Sequence, residues 1–121
     1  MMKSNQEIER PGTRQMDLLD SLSKSATQYF LDYTHSVNGL VADSTWENAP
    51  ASIAAVGFGL SVLLVAIERG WLTRAEGIER TLISLRFFAN SPQSPDAQAT
   101  GYQGFYNHFL DIETGQRAVG S

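Results

Sequence analysis

Apolar and polar positions follow helical spacing near the start of the chain. Between Gln15 and Thr34 apolar residues recur every three or four positions, which places them on one face of a helix, and polar residues occupy the opposite face. The pattern predicts an amphipathic helix that buries its apolar face. That face consists of Leu19, Leu22, Ala26, Tyr29, Phe30 and Tyr33.

The segment Ala51–Ile67 has no charged residue and is apolar on all sides. It predicts a second helix that begins at Ala51 or Ser52 and runs to Arg69, with Gly70 as a left-handed C-terminal cap. A membrane span is the alternative for so apolar a stretch. No basic cluster or pair of aromatic belts flanks it, so we expect a buried core helix and no membrane association.

A third helix is predicted by the capping box Thr73-Arg74-Ala75-Glu76, in which the Thr hydroxyl and the Glu carboxylate each bond a free backbone N–H of the first turn. Glu76 and Arg80 lie four residues apart on the face expected in solvent. The face expected to be buried consists of Ala75, Ile78, Leu82, Leu85 and Ala89.

The remaining segments predict loops and one hairpin. His35–Pro50 is rich in turn-forming residues and predicts a long loop. Asn90–Gln103 contains two prolines, which prevent a helix from continuing, so it predicts a connector. Gly104–Asp111 predicts a short regular strand that enters a hairpin turn at Glu113-Thr114-Gly115.

The second helix needs more cover than these elements provide. A helix that is apolar all round must be covered all round, and two amphipathic helices with one hairpin cannot surround it. Leaving three or four of its large side chains in water would forfeit roughly 1.5–3 kcal/mol each, out of the ~5–15 kcal/mol that stabilises a domain. We expect further residues of the same polypeptide, other chains or a membrane to supply the cover.

Composition and charge exclude several functions. Hydrophobic residues make up 42% and charged residues 18%, as in a globular protein. The net charge of −4 and the scattered basic residues argue against a nucleic-acid partner. The chain has no cysteine, which excludes disulfides, thiolate metal ligands and a cysteine nucleophile. Met1–Thr13 lacks an apolar secretory segment, so the chain as written is expected to be cytoplasmic, with residues 1–14 forming a disordered tail.

Four sequence blocks occur in order along the chain: YFLDYTH at 29–35, GLVAD at 39–43, SIAAVGFGL at 52–60, and GFYNHFLD at 104–111 followed by Thr114, Gly115 and Arg117. ERGW at 68–71 and RAE at 74–76 add to them. Together the blocks resemble the glucoamylase-like family of bacterial glycoside hydrolases, which includes enzymes that act on β-1,2-glucans. The resemblance covers about Gln15 to Arg117.

The resemblance implies an all-α fold in which residues 15–121 form the N-terminal segment of an (α/α)6 barrel, about three helices plus a short β-hairpin. It implies a fragment of a glycoside hydrolase that cleaves a β-glucan, such as a β-1,2-linked one, by general acid–base chemistry. The implied partner of the full-length protein is an oligo- or polysaccharide. No cofactor is implied, and family members are often exported to the periplasm.

The fragment is expected to be inactive alone, because the acidic stretch that follows the Thr-Gly-x-Arg turn in the family is absent. The alternative is a stand-alone helical interaction protein that buries Ala51–Ile67 by self-association.

Glycoside hydrolysis needs two carboxyl groups across the scissile bond, and the sequence does not assign that pair. Asp43 and Asp111 lie in blocks that resemble the family, at loop or strand ends where barrel enzymes place sugar-contacting groups. Each could equally cap a turn. Tyr106 and His108 would share one face of a regular strand and form a sugar subsite, or else be a packed Tyr and a core His. These four residues are the substrate-binding candidates.

Two further pairs of residues carry side chains that are common in binding sites. Trp46 and Trp71 could stack on sugar, although Trp71, beside a helix boundary, is more typical of a packing anchor. His35 and His108 have no third ligand at a recognisable spacing, so no metal site is expected.

Overall fold

The computed structural model describes residues 11–118. Its three helices confirm the three predicted ones, and each of its strands is two residues long. Three helices are too few to close a barrel, so the described residues form only part of one. The elements are α1 (Pro11–Asp32), β1 (Ala51–Ser52), α2 (Ile53–Glu68), α3 (Arg74–Asn90), β2 (Gly101–Tyr102), β3 (Phe105–Tyr106) and β4 (Phe109–Leu110).

Helix α1 begins at Pro11, four residues before the predicted start at Gln15. Proline is tolerated in the first turn because the N–H it lacks has no partner within the helix there. Residues 11–14 of the predicted tail are therefore the start of a helix. Residues 1–10 of that tail lie outside the described residues.

The face that α1 was predicted to bury is mostly in solvent. Leu19 and Leu22 are each 57% exposed. Only the C-terminal half of the helix is packed, where Thr27 is buried and Tyr29 and Phe30 are partly buried. Helical spacing shows that a face is apolar, but it does not show that this part of the chain contains a neighbour to cover it.

The predicted buried face of α3 is also wrong. The helix packs through its small residues instead, since Gly77 and Ser84 are buried. A Cβ atom at Gly77 would lie 2.4 Å from Ile67 Cδ1 of α2, so the missing side chain allows the two helices to approach. The residues that were predicted to be buried and are exposed are Ala75, Ile78, Leu82, Leu85 and Ala89.

Helix α2 lies between the other two and contacts both. Its ends follow the prediction, because Ser52 is the N-cap and Gly70 has φ 73°. It buries Val56, Gly59, Leu63 and Ala66 but leaves Phe58, Leu64 and Val65 exposed at 68%, 71% and 45%. The predicted lack of cover is therefore present in the structure. No helix within residues 11–118 combines the length and apolarity needed to cross a bilayer.

The core lies where the loop after α1 meets the short strands. Leu40, Val41, Ala51, Val56 and Leu110 form its fully packed cluster. Strand β1 pairs antiparallel with β4, and single bridges join Thr34 to Val41 and Ala42 to Ala51. This network fixes the loop after α1 against the end of β4.

The predicted regular strand over Gly104–Asp111 is wrong. Strand β3 pairs with β2, whereas β4 pairs with β1, and the chain leaves extended pairing between them. Strand β2 lies inside the predicted connector, joined to β3 by a tight turn in which Gln103 and Gly104 both have positive φ. The predicted hairpin turn after β4 is confirmed, since Gly115 has φ 72° and Leu110 pairs with Arg117.

Candidate functional site

A groove of about 700 Å³ runs between the loop that follows Ala42 and the turn that follows β4. Side chains of opposite charge and two aromatic rings, those of Tyr33 and Trp46, lie along it. The other side chains that could hydrogen-bond a ligand in it include Asn48, Gln98, Asp111, Glu113 and Arg117. The groove contains Asp111 of the four predicted site residues.

Asp43 lies at the base of the loop beside the groove. Its backbone N–H donates to Pro50 O at 2.8 Å and closes the loop, while its side chain is exposed. The Tyr29 hydroxyl donates to the carbonyl of Ala42. Partial burial, followed by the negative charge of Asp43, raises the pKa of this hydroxyl above its ordinary value. Sugar contact by Asp43 stays a prediction.

Asp111 caps the turn that forms the other side of the groove. Its Oδ1 accepts the backbone N–H of Glu113 at 3.0 Å and of Thr114 at 2.9 Å. These bonds, chiefly the one from Thr114, lower the pKa of the Asp111 carboxyl, against an opposing effect of burial. Asp111 is therefore ionised at neutral pH and can accept bonds from a ligand but not donate a proton as a general acid. Substrate contact stays a prediction here as well.

Tyr106 and His108 do not share a strand face. The Tyr106 hydroxyl donates to Phe88 O at 3.3 Å. The Tyr106 and Phe88 rings pack edge to face with their centroids 4.8 Å apart. His108 is exposed, and its ring stacks on the Phe109 ring with the two centroids 4.2 Å apart. The two side chains are separated because the chain changes sheets at Asn107, which bonds to Ala99 O and Thr100 O. Their substrate-binding role also stays a prediction.

A histidine–carboxylate pair that the sequence did not suggest supports the groove. His35 Nε2 lies 3.1 Å from Glu113 Oε2. The other ring nitrogen, Nδ1, accepts the N–H groups of Val37 and Asn38. Since Nδ1 is an acceptor, the proton of the neutral ring is on Nε2, which donates to Glu113. The two residues are 78 positions apart, so no local pattern signals the pair.

Asn38 also holds the turn in place. Its side-chain amide donates to Ile112 O at 2.8 Å, and its Oδ1 accepts Leu40 N–H at 2.9 Å. Only the preference of Asn38 for turns was visible in the sequence. Because Asn38 is buried, both of these bonds are protected from water.

The electrostatics of the groove suit a neutral, hydroxyl-rich ligand. The carboxylates of Asp111 and Glu113 and the guanidinium of Arg117 line it together, so both signs of charge are present, with one carboxylate in excess. Carboxylates accept from hydroxyl groups, whereas guanidinium and amide groups donate to them. Within residues 11–118 no three His, Cys, Asp or Glu side chains are grouped to hold a metal ion.

No family model matches the chain. Comparison with individual proteins gives relatives whose names refer to glucan-cleaving enzymes. An exo-β-1,2-glucooligosaccharide sophorohydrolase of Parabacteroides distasonis is 29% identical over 100 residues, 82% of this chain and 13% of that protein. A glucoamylase-like protein of Bacteroides uniformis has 32% identity and a TM-score of 0.69, over 81% of this chain and 23% of its own.

An endo-β-1,2-glucanase of Chitinophaga pinensis, solved with sophorotriose and glucose, has 26% identity and a TM-score of 0.70 over 87% of this chain and 25% of its own. The resemblance to the glucoamylase-like proteins is confirmed. The three helices with their short strands fit the predicted fold class, an N-terminal segment of an α/α barrel. The chain spans 13% of the length of the curated sophorohydrolase and about a quarter of the solved chains.

Proposed function

We propose that this chain forms one part of a β-1,2-glucan-hydrolysing protein and supplies a wall of its sugar-binding groove. The observation that carries the proposal is that two named relatives, one an exo-acting sophorohydrolase and one an endo-β-1,2-glucanase, match 82% and 87% of the chain. Both names specify β-1,2-linked glucose. The substrate class proposed for this chain is therefore a β-1,2-glucooligosaccharide.

The geometry of the groove supports binding rather than cleavage by this chain alone. Its mixed charges fit a neutral sugar, and its volume lies within the range of small-molecule sites, about 300–1,000 Å³. The Asp111 carboxyl, with its lowered pKa, lacks the raised pKa that a general acid needs at neutral pH. We expect the chain to bind the sugar without hydrolysing it.

The test is calorimetric titration of the chain with β-1,2-linked glucooligosaccharides and, as control, with β-1,4-linked ones of equal length. Binding through one open groove is expected to give a dissociation constant of roughly 0.1–10 mM for the β-1,2 series, weaker binding of the β-1,4 series, and no release of reducing sugar. Absence of β-1,2 binding, or equal affinity for the two series, contradicts the proposal.

A second role, as a helical interaction module, is favoured by the apolar side chains that α2 and α3 leave in water. Exposed apolar surface of this kind marks interaction sites. Sedimentation velocity of the chain is expected to show association that increases with concentration. A monomer at all concentrations contradicts this role, and oligomers that bind no sugar would favour it over the groove.

A further inference from the structure

Trp46 lies at the edge of the groove with 82% of its surface in solvent. An indole ring is costly to leave in water, because its large apolar area gains free energy only when something covers it. Trp71, the other tryptophan, is partly buried with the Arg69 guanidinium 6.0 Å from its ring centre. Trp46 is thus exposed because of its place beside the groove, whereas Trp71 is partly covered by its neighbours.

The loop that carries Trp46 is held by hydrogen bonds between its own residues. Ser44 Oγ accepts the Trp46 N–H at 3.3 Å, and Trp46 O accepts the Ala49 N–H at 3.2 Å. Asn48 has a left-handed backbone, φ 60°, which Asn tolerates better than most residues. Pre-ordering the loop reduces the entropy that a ligand would have to remove on binding.

Polar side chains from the turn after β4 and from Gln98 line the groove with Trp46, and that of Glu113 is bonded to a neighbour. Glu113 has a side chain that is 75% exposed, and the His35 imidazole bonds one of its carboxylate oxygens. The backbone N–H of Arg117 donates to Gln98 O at 3.3 Å, which brings these two residues to the same side of the groove. An aromatic plate and a set of donors and acceptors therefore line one groove.

An aromatic ring beside hydrogen-bonding side chains matches the apolar face and the polar rim of a glucosyl ring. In a β-linked glucosyl residue the hydroxyl groups are equatorial, so the ring has an apolar C–H face and a polar rim. Trp46 can cover the apolar face, while the Glu113 carboxylate accepts from rim hydroxyls and Arg117 and Gln98 donate to them. An anionic sugar fits less well, because two carboxylates face a single guanidinium.

We infer that Trp46 is the stacking platform for one glucosyl residue of a β-linked glucan, with Glu113, Arg117 and Gln98 contacting its hydroxyls. The inference rests on the proposed function and assigns the sugar to a defined place in the groove.

The experiment compares Trp46→Ala and Trp46→Phe with Phe105→Ala. Phe105 is a matched control, because it is 83% exposed and lines a different cavity. With a β-1,2-linked glucotriose as probe, Trp46→Ala is expected to weaken binding about ten-fold, Trp46→Phe less, and Phe105→Ala by under about two-fold. Equal thermal melting of all variants confirms that they fold.

A second readout reports on the indole itself. In a Trp71→Phe background, Trp46 is the single tryptophan of the chain. The same probe is expected to shift its fluorescence to shorter wavelength and protect it from iodide quenching. Binding that Trp46→Ala leaves undiminished overturns this inference but not the proposed function. Loss of binding in the unsubstituted chain overturns both.

Discussion

At the scale of single residues, Asp111 gives the turn beside the groove a dependence on pH. Its folded pKa is lowered, so its stabilising effect is present above the unfolded carboxyl pKa of about 3.9 and is lost as the pH falls through the folded value. The group is exposed, which limits the effect to under about 1 kcal/mol.

We therefore expect Asp111→Asn to lower the free energy of unfolding near neutral pH, and the difference from the unsubstituted chain to shrink on acidification to about pH 3. Urea titrations at a series of pH values measure this. A difference that grows on acidification would show that the charged carboxylate does not stabilise the turn.

Gly39 is constrained by both its backbone and its neighbour. It has φ 73°, and a Cβ atom there would lie 2.8 Å from Ser84 Cα. Gly39→Ala is expected to cost roughly 2–5 kcal/mol from backbone strain and overpacking together. Gly70→Ala is the control, because Gly70 has the same φ with open space around it and should cost only about 1–2 kcal/mol. Equal losses in chemical denaturation would mean that the contact with α3 contributes nothing.

At the scale of elements, local signals predicted the helices but not their packing. The capping box at Thr73 and the left-handed Gly70 are both present, because caps depend on a few neighbouring residues. The buried faces of α1 and α3 were wrong, because which face packs depends on neighbours distant in sequence. The helices contact each other through small residues such as Gly77, and the spacing of large apolar residues does not predict such contacts.

The apolar row of α3 formed by Ile78, Leu82 and Leu85 is exposed, so substitutions in it should cost less than substitution of a buried leucine in α2. Leu82 is 40% exposed, so Leu82→Gln should change the free energy of unfolding by under about 1 kcal/mol. Leu63 of α2 is 8% exposed, and Leu63→Ala should cost about 2–5 kcal/mol. Urea denaturation compares them. A large loss at Leu82 in a monomeric chain would show that this row is covered within the chain.

At the scale of the whole molecule, the sequence does not predict the groove, although it predicts two of its parts. Asp111 and the turn after it follow from the sequence, as does Trp46 as a ring that could stack on sugar. Their meeting depends on two-residue strands and single bridges, which are too short for alternation to reveal. The same bridges bring the loop after α1, with His35, against the turn that carries Glu113.

The most direct test of the sugar-binding wall is a titration of the ¹⁵N-labelled chain with a β-1,2-linked glucotriose, followed by amide and indole chemical shifts. The shifts are expected to concentrate on residues 44–48, the Trp46 indole N–H and residues 111–118. No shift at millimolar sugar, or shifts confined to the surface between α1 and α3 around Glu76 and Arg80, would contradict the account.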